Sequence, residues 1–387
     1  MQMIYLDNAA TSYPKAKGVA DAIADYINHN GVNMNRSNYA KSTEAALNTL
    51  GLRESLCRLF GSRDTETCIL TPGATFGLNL ALKGYLHAGD HVLVSSMEHN
   101  AVMRPLNQIE GLSIEKVPCA IDGSLDPNNL LTRIRPETKL VCIAHASNVC
   151  GTLMPVTEIG EICQSRGLAF VVDAAQTAGH IPVHREAMHA DALIVPAHKG
   201  LLGPQGIGAA LFSLGFARQI TPLTTGGTGS RSSLEVQPDD LPDKFESGTQ
   251  NIPGIYGFAA ALAYTVPLMD SLHQTAMRLC GMLLEEVSHL PNVRILGKQG
   301  IDGRMPVVAL DFIGMDNAMV ADRLASDYGI ATRCGLHCAP SAHHTLGSYP
   351  QGAVRFSISG HNTESEIIQT LAALANIVTD RHTFAQA

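Results

Sequence analysis

KLVCIAHASNVCGTLMPVTEIGEICQSRGLAFVVDAA, residues 139–175, decides the fold class. Its two ends, KLVCIAH and AFVVDAA, are short apolar runs rich in β-branched residues, the composition of buried strands. The segment between them, 156–166, has the length and spacing of a helix, so the whole reads as one strand–helix–strand unit. The alternation continues outward on both sides. TCIL (67–70), HVLVSS (91–96) and SIEKVP (113–118) precede it, ALIVPA (192–197) follows, and helix-length segments occupy 74–85 and 100–110. This order predicts an α/β fold with a mostly parallel central sheet, and ligands at the carboxyl ends of its strands.

The chain of 387 residues exceeds the roughly 250–300 at which a single core stops growing. We therefore expect an N-terminal segment over 1–15 packing near the active site, a large domain over 16–264 and a smaller C-terminal α+β domain over 265–387. The stretch 222–254, rich in Gly, Pro, Ser and Asp, reads as a long surface loop. Beyond it 255–290 is helical, VRILG and PVVALDF are strands, a helix lies near 316–328, ATRCG and AVRFSI are strands, and a helix closes the chain from 363.

A net charge of -8 and no Lys/Arg cluster disfavour nucleic-acid binding. The N-terminus lacks the basic and apolar regions of a signal peptide, and no apolar run reaches membrane-spanning length, so a cytoplasmic, membrane-free protein is expected. The nine cysteines, an odd number and scattered, read as reduced thiols, and no spacing suggests a metal site.

The candidate chemistry follows the strands. VVDAAQ (171–176) ends a strand in a carboxylate, and ALIVPAHKGLLGPQGIG (192–208) places a His-Lys pair and a glycine-rich turn after another. Taken singly, Lys199 also fits a side chain that snorkels to the surface, and Asp173 a cap for the next helix. Together they match what pyridoxal 5'-phosphate requires: a lysine for a Schiff base and an acid for the pyridinium nitrogen. TPGAT (71–75) adds a glycine-containing turn before a helix, where backbone N–H groups at Ala74 and Thr75 can meet an anion.

On these segments, together with YLDNAATSYPK (5–15), SSMEHNA (95–101), ASNVCGT (146–152), FESGTQN (245–251) and RCGLHCAP (333–340), the chain resembles the class V aminotransferase-fold enzymes, and within them the cysteine desulfurases of the SUF-system type (group II). The resemblance implies fold type I of the pyridoxal phosphate enzymes. It implies Lys199 as the Schiff-base lysine, Asp173 on the ring nitrogen, Gln176 on the phenolic oxygen with Asn148 beside it, and His99 stacked on the ring. Thr75, His198 and, from a neighbouring subunit of a homodimer, Thr249 would hold the phosphate. Pro196 stands where many relatives have a serine on the phosphate, and it offers neither hydroxyl nor N–H.

The same resemblance places the sulfur-accepting thiol at Cys338 and the clamp for the substrate carboxylate at Arg355, with Asn148 also near the substrate. A thiolate is needed for attack on sulfur, and a nearby positive charge or His337 would favour it. Cys334 reads as inert, as a disulfide partner of Cys338 or as a sulfur relay. The implied reaction converts L-cysteine to L-alanine with a persulfide left on Cys338 and passed to a sulfur-acceptor protein. The rivals are a cysteine or cystine C–S lyase, a selenocysteine lyase on the same fold, and a sulfur-transfer scaffold of low turnover.

Overall fold

The computed structural model describes residues 3–34 and 39–380, so the outermost bounds of the expected segments, at 1–2 and 381–387, lie outside the described residues. The chain begins with the short strand β1 (Ile4–Tyr5), followed by helices α1 (Val19–Asp25) and α2 (Ala40–Phe60). The first long sheet then runs β2 (Cys68–Thr71), α3 (Ala74–Tyr85), β3 (His91–Ser95), α4 (Asn100–Asn107), β4 (Ser113–Val117), α5 (Pro127–Leu131) and β5 (Thr138–Ala144). It continues with α6 (Val156–Arg166), β6 (Ala169–Asp173), β7 (Ala192–Pro196) and β8 (Gly208–Phe212).

The seven strands lie in the order β2-β8-β7-β6-β5-β3-β4, and only β8 runs antiparallel to its neighbours. The sheet is thus mixed but mostly parallel, as the alternation predicts. Sequence reading ended the β7 turn at Gly208 and did not foresee β8. The turn carrying Lys199 reverses the chain directly and has no crossover helix, so the strand after it must return antiparallel.

Successive side chains of these strands enter two separate cores. Leu93, Val141, Phe170, Val172, Leu193 and Val195 face one side, and Val94, Cys142, Val171, Ile194, Ala210 and Phe212 the other. Each of the Val, Leu, Ile and Phe side chains contributes roughly 1.5–3 kcal/mol by burial. Among the described residues both faces are covered, so a ligand meets the sheet at its strand ends.

After α7 (Leu214–Gln219) the chain runs irregularly to α8 (Ile252–Thr265) and α9 (Met269–Val287). These two helices and the turn between them form a run, 252–287, that is long and apolar enough to cross a membrane. This corrects the expectation that no apolar run has that length. The run turns through a short 3-10 segment containing Pro267, and its halves bury different faces. Ile255, Phe258 and Ala261 enter the first core, and Leu279, Leu283 and Val287 enter that of a second sheet.

The second sheet comprises β9 (Val293–Leu296), β10 (Val307–Phe312), β12 (Arg333–Gly335) and β13 (Ala353–Ser357), in the antiparallel order β12-β13-β10-β9. Helices α10 (Asn317–Tyr328), α11 (Pro340–Thr345) and α12 (Glu364–Thr379) accompany it, and β11 (Ile330–Ala331) pairs in parallel with β1. α12 starts on a capping box: Thr363 accepts from the Glu366 N–H while Glu366 accepts from that of Thr363, closing two otherwise unpaired donors.

The N-terminal strap therefore belongs to the second sheet at Ile4 and Leu6 and crosses to the first by way of Ala9 and Ser12. The buried Arg304 also ties the two sheets, donating to the carbonyls of Cys150 and Val307.

Candidate active site

A cavity of about 660 Å³ opens at the carboxyl edge of the first sheet. Because β2, β3, β5, β6 and β7 all end there, the segments after them supply its wall: Gly73–Thr75, His99, Asn148, Asp173, Gln176, and His198 with Lys199. Residues distant in sequence converge because parallel strands deliver every connection to one edge.

Lys199 lies in the turn after β7, where the Leu202 N–H donates to its carbonyl. Protein surrounds its amine on every side except the cavity, and this burial pushes the pKa down to about 8, with Asp173 opposing and Arg355 assisting. The turn is packed too closely for side chains: a Cβ on Gly179 (φ +85) would stand 2.4 Å from the Gly200 carbonyl carbon.

Asp173 ends β6 beside the end of β7, in register with Ala144 of β5 and Ile194 of β7. Its Oδ1 accepts from the Ala175 N–H at 2.9 Å. Burial raises its pKa, and that hydrogen bond and Lys199 oppose the rise. A buried acid and a buried amine thus face the same cavity, each the other's main counter-charge.

His99 is the N-cap of α4, and its Nδ1 accepts from the Ala101 N–H at 3.0 Å. The ring proton therefore sits on Nε2. Burial, then Lys199 and Arg355, push the pKa down to about 4, so the ring is neutral at physiological pH. Gln176 donates from Nε2 to the Ala9 carbonyl at 3.1 Å. His198 bonds Thr11 Oγ1 through Nδ1 at 3.1 Å, and its carbonyl accepts from the Ser12 N–H, at 2.8 Å, and from Lys15 Nζ.

α3 enters the cavity with its N-terminus bare. Its N-cap is Gly73, with no side-chain cap, which leaves the Ala74 and Thr75 N–H groups pointing toward an anion position. Gly73 has φ +150, and a Cβ there would meet no atom within 4 Å, so the glycine leaves open space in the cradle. Pyridoxal phosphate fits this constellation: an acid for a ring nitrogen, an amine for its carbonyl carbon, a neutral imidazole wall and an uncapped helix for a phosphate. Pro196 lines the same wall without a donor, and the β7–β8 turn also brings the Gln205 amide there.

Three of the sequence-derived residues stand outside that wall. Thr249 lines an adjoining cavity of about 350 Å³, which shares Pro72, Phe76 and Gly206 with the main one. Arg355, on β13, is buried behind the wall, with Nη1 donating to the Asn148 carbonyl at 3.0 Å and Nη2 to Asp7 Oδ1 at 2.7 Å. Cys338 is exposed, in the turn after β12, with φ +56. Two bonds tie its turn to the cavity rim: the Asn100 N–H donates to the Cys338 carbonyl at 2.7 Å, and Asn148 Nδ2 to the His337 carbonyl at 2.7 Å.

Of the two aids expected for a Cys338 thiolate, a nearby positive charge or His337, the structure leaves His337 uncharged. Its ring is buried between His343 Nε2 and the Arg333 carbonyl, both at 3.2 Å. Burial and the Arg355 charge push its pKa down to about 3, so it is neutral. Cys334, one position along β12 from Arg333, packs against the core of the second sheet, and burial raises its pKa. Its environment favours the inert reading.

Sequence reading missed Asp7 and Glu98. Glu98 is buried, accepts from Ser95 Oγ at 2.5 Å and from the Ala144 N–H at 3.0 Å, and so ties the turn before His99 to β5. Burial pushes its pKa up to about 8. Both residues lie in segments, YLDNAATSYPK and SSMEHNA, that carried the resemblance, and the charge itself was the available signal.

The class-V aminotransferase family model matches residues 4–370. A probable cysteine desulfurase of Vibrio cholerae is 30% identical, covering 97% of this chain and 94% of its own. Another from Methanothermobacter thermautotrophicus is 31% identical over 94% and 92%. Among solved structures, the apo cysteine desulfurase of Thermococcus onnurineus superposes with a TM-score of 0.89 at 30% identity, covering 97% of this chain and 95% of that one. An S-sulfonic acid form of an Escherichia coli cysteine desulfurase gives 0.86 at 26% identity, covering 98% and 95%.

Proposed function

The chain belongs to the class-V aminotransferase family, and from that premise we propose that it is a pyridoxal phosphate-dependent cysteine desulfurase, converting L-cysteine to L-alanine. The observation that carries the reading is the exposed Cys338 on a turn hydrogen-bonded to Asn100 and Asn148 at the cavity rim. Few arrangements other than sulfur transfer call for a solvent-reachable thiol held to an amino-acid site.

When bound, pyridoxal phosphate supplies an electron-withdrawing ring that stabilises negative charge at the substrate α-carbon. Asp173 would face the ring nitrogen and favour its protonated form, and the bare amides of Ala74 and Thr75, with Thr75 Oγ1 and His198, would hold the phosphate. His99, being neutral, would pack against the ring without adding charge, and Gln176 and Asn148 would be its polar neighbours in the same wall. Arg355 receives the substrate carboxylate, a task suited to the guanidinium fork. Lys199, with a pKa of about 8, has the basicity of an amine that takes the α-proton near neutral pH.

Cys338 gives its proton to solvent and attacks the substrate sulfur. The Cβ–S bond breaks, an S–S bond forms, and the three-carbon fragment leaves as alanine after protonation. Exposure of Cys338 suits onward transfer to an acceptor protein. The proposal extends to a cytoplasmic homodimer in which Thr249 reaches the neighbouring subunit's phosphate.

One observation favours the C–S lyase reading instead: Cys338 is not part of the cavity wall. Incubation with L-cysteine followed by mass spectrometry separates the two. Sulfur on Cys338, and loss of alanine formation in Cys338→Ala with the cofactor's visible band retained, is the expected outcome. Pyruvate and ammonia formed undiminished by Cys338→Ala would establish elimination.

A further inference from the structure

Arg355 has two protein acceptors, one on each terminal nitrogen, and its third nitrogen has none among the described residues. Nη1 donates to the Asn148 carbonyl and Nη2 to Asp7 Oδ1, while Nε, buried with the rest of the side chain, has no acceptor among the described residues. A guanidinium takes a carboxylate bidentately through two neighbouring N–H groups. Nε and Nη2 form such an edge, and Asp7 fills half of it with a single oxygen.

The other Asp7 oxygen faces a second arginine. Oδ2 lies 3.4 Å from Arg333 Nε, and Arg333 is half exposed and paired directly opposite Arg355 across β12 and β13. The backbone around Asp7 is pinned: the Leu6 N–H donates to the Ala331 carbonyl, the Ala9 N–H to Ser357 Oγ, and Asn8 Nδ2 to the Ser357 carbonyl. A fixed backbone thus presents one carboxylate to two guanidiniums, so its side chain can change partner without moving the strap.

We propose that Asp7 is an internal stand-in for the α-carboxylate of the amino-acid substrate: it neutralises Arg355 in the empty site and yields the Nε–Nη2 edge to the incoming carboxylate by transferring its own ion pair to Arg333. The proposal rests on Arg355 as the carboxylate clamp in the function given above. Without such a stand-in the empty site would bury an uncompensated charge. Because the product keeps the substrate's carboxylate, the competition with Asp7 also assists release.

The test uses the holoenzyme and follows the cofactor's visible band during titration with L-alanine, or with ethylamine, which has the amine but no carboxylate. Asp7→Asn is expected to bind L-alanine roughly tenfold more tightly, the scale of one charge-assisted hydrogen bond, with ethylamine unchanged. Arg333→Gln is expected to weaken L-alanine binding only while Asp7 is charged, so that the double variant behaves as Asp7→Asn alone. Weaker or unchanged L-alanine binding in Asp7→Asn overturns the exchange and makes Asp7 a static brace for Arg355. Equal weakening by Arg333→Gln in both backgrounds overturns it too, since Arg333 would then touch the ligand itself. A wild-type protein that takes up no cofactor refutes the assignment of the site, and the stand-in with it, before any variant is compared.

Discussion

Replacing Lys199 with methionine should make the cofactor-free chain more stable. A fall in the amine's pKa from 10.5 to about 8, at about 1.4 kcal/mol for each tenfold change in proton binding, means that the charged lysine costs the folded state about 3 kcal/mol. Methionine fills a similar volume without the charge. Part of the gain is returned because Asp173 loses its nearby cation, so a net gain of roughly 1–3 kcal/mol is expected at pH 7.

The pH dependence distinguishes this origin from improved packing. Below pH 8 the lysine is protonated in both folded and unfolded chains, and the full penalty is present. Between about 8 and 10.5 the folded chain has released the proton while the unfolded chain still binds it, so wild-type stability rises with pH. Above 10.5 the penalty is gone. Urea unfolding of the cofactor-free proteins at pH 7 and pH 10 measures this, with the advantage of Lys199→Met shrinking as pH rises. A variant no more stable than wild type at pH 7, or an advantage independent of pH, would refute the reasoning.

Two further outcomes follow from buried charge. Glu246 meets Arg53 in a two-bond fork at 2.8 and 2.6 Å and also accepts from the Leu70 N–H at 2.7 Å, so Glu246→Ala should cost about 3–5 kcal/mol by stranding the buried guanidinium. Arg53→Met combined with Glu246→Leu should recover much of that loss in urea unfolding; a single variant as stable as wild type would contradict the burial argument. His99, His145, His180 and His337 all have pKa values pushed down by burial, to about 4 for the first three and about 3 for His337. The unfolded chain binds their protons first, so stability present above pH 6.5 should be lost progressively as pH falls toward 4. A urea midpoint unchanged between pH 7 and pH 5 would speak against neutral buried rings.

What the sequence determined by itself is what local pattern encodes. Each strand from Cys68 to Pro196 was legible because apolar runs and helical spacing are properties of neighbouring residues, and parallel connectivity then sends Gly73, His99, Asn148, Asp173 and Lys199 to one edge. β8 was not legible: Gly208–Phe212 is short and follows directly on a glycine-rich turn, and its antiparallel direction rests on the absence of a crossover.

Tertiary structure alone decided the charge states and the alliances between sheets. His337 looks in sequence like a polar partner for Cys338, but burial, with the Arg355 charge nearby, removes its own charge. Asp7 and Arg355 meet across 348 positions, and no periodicity links them. Burial and ion pairing depend on which distant surfaces close over a group, and that is set only when the two sheets and the strap between them pack together.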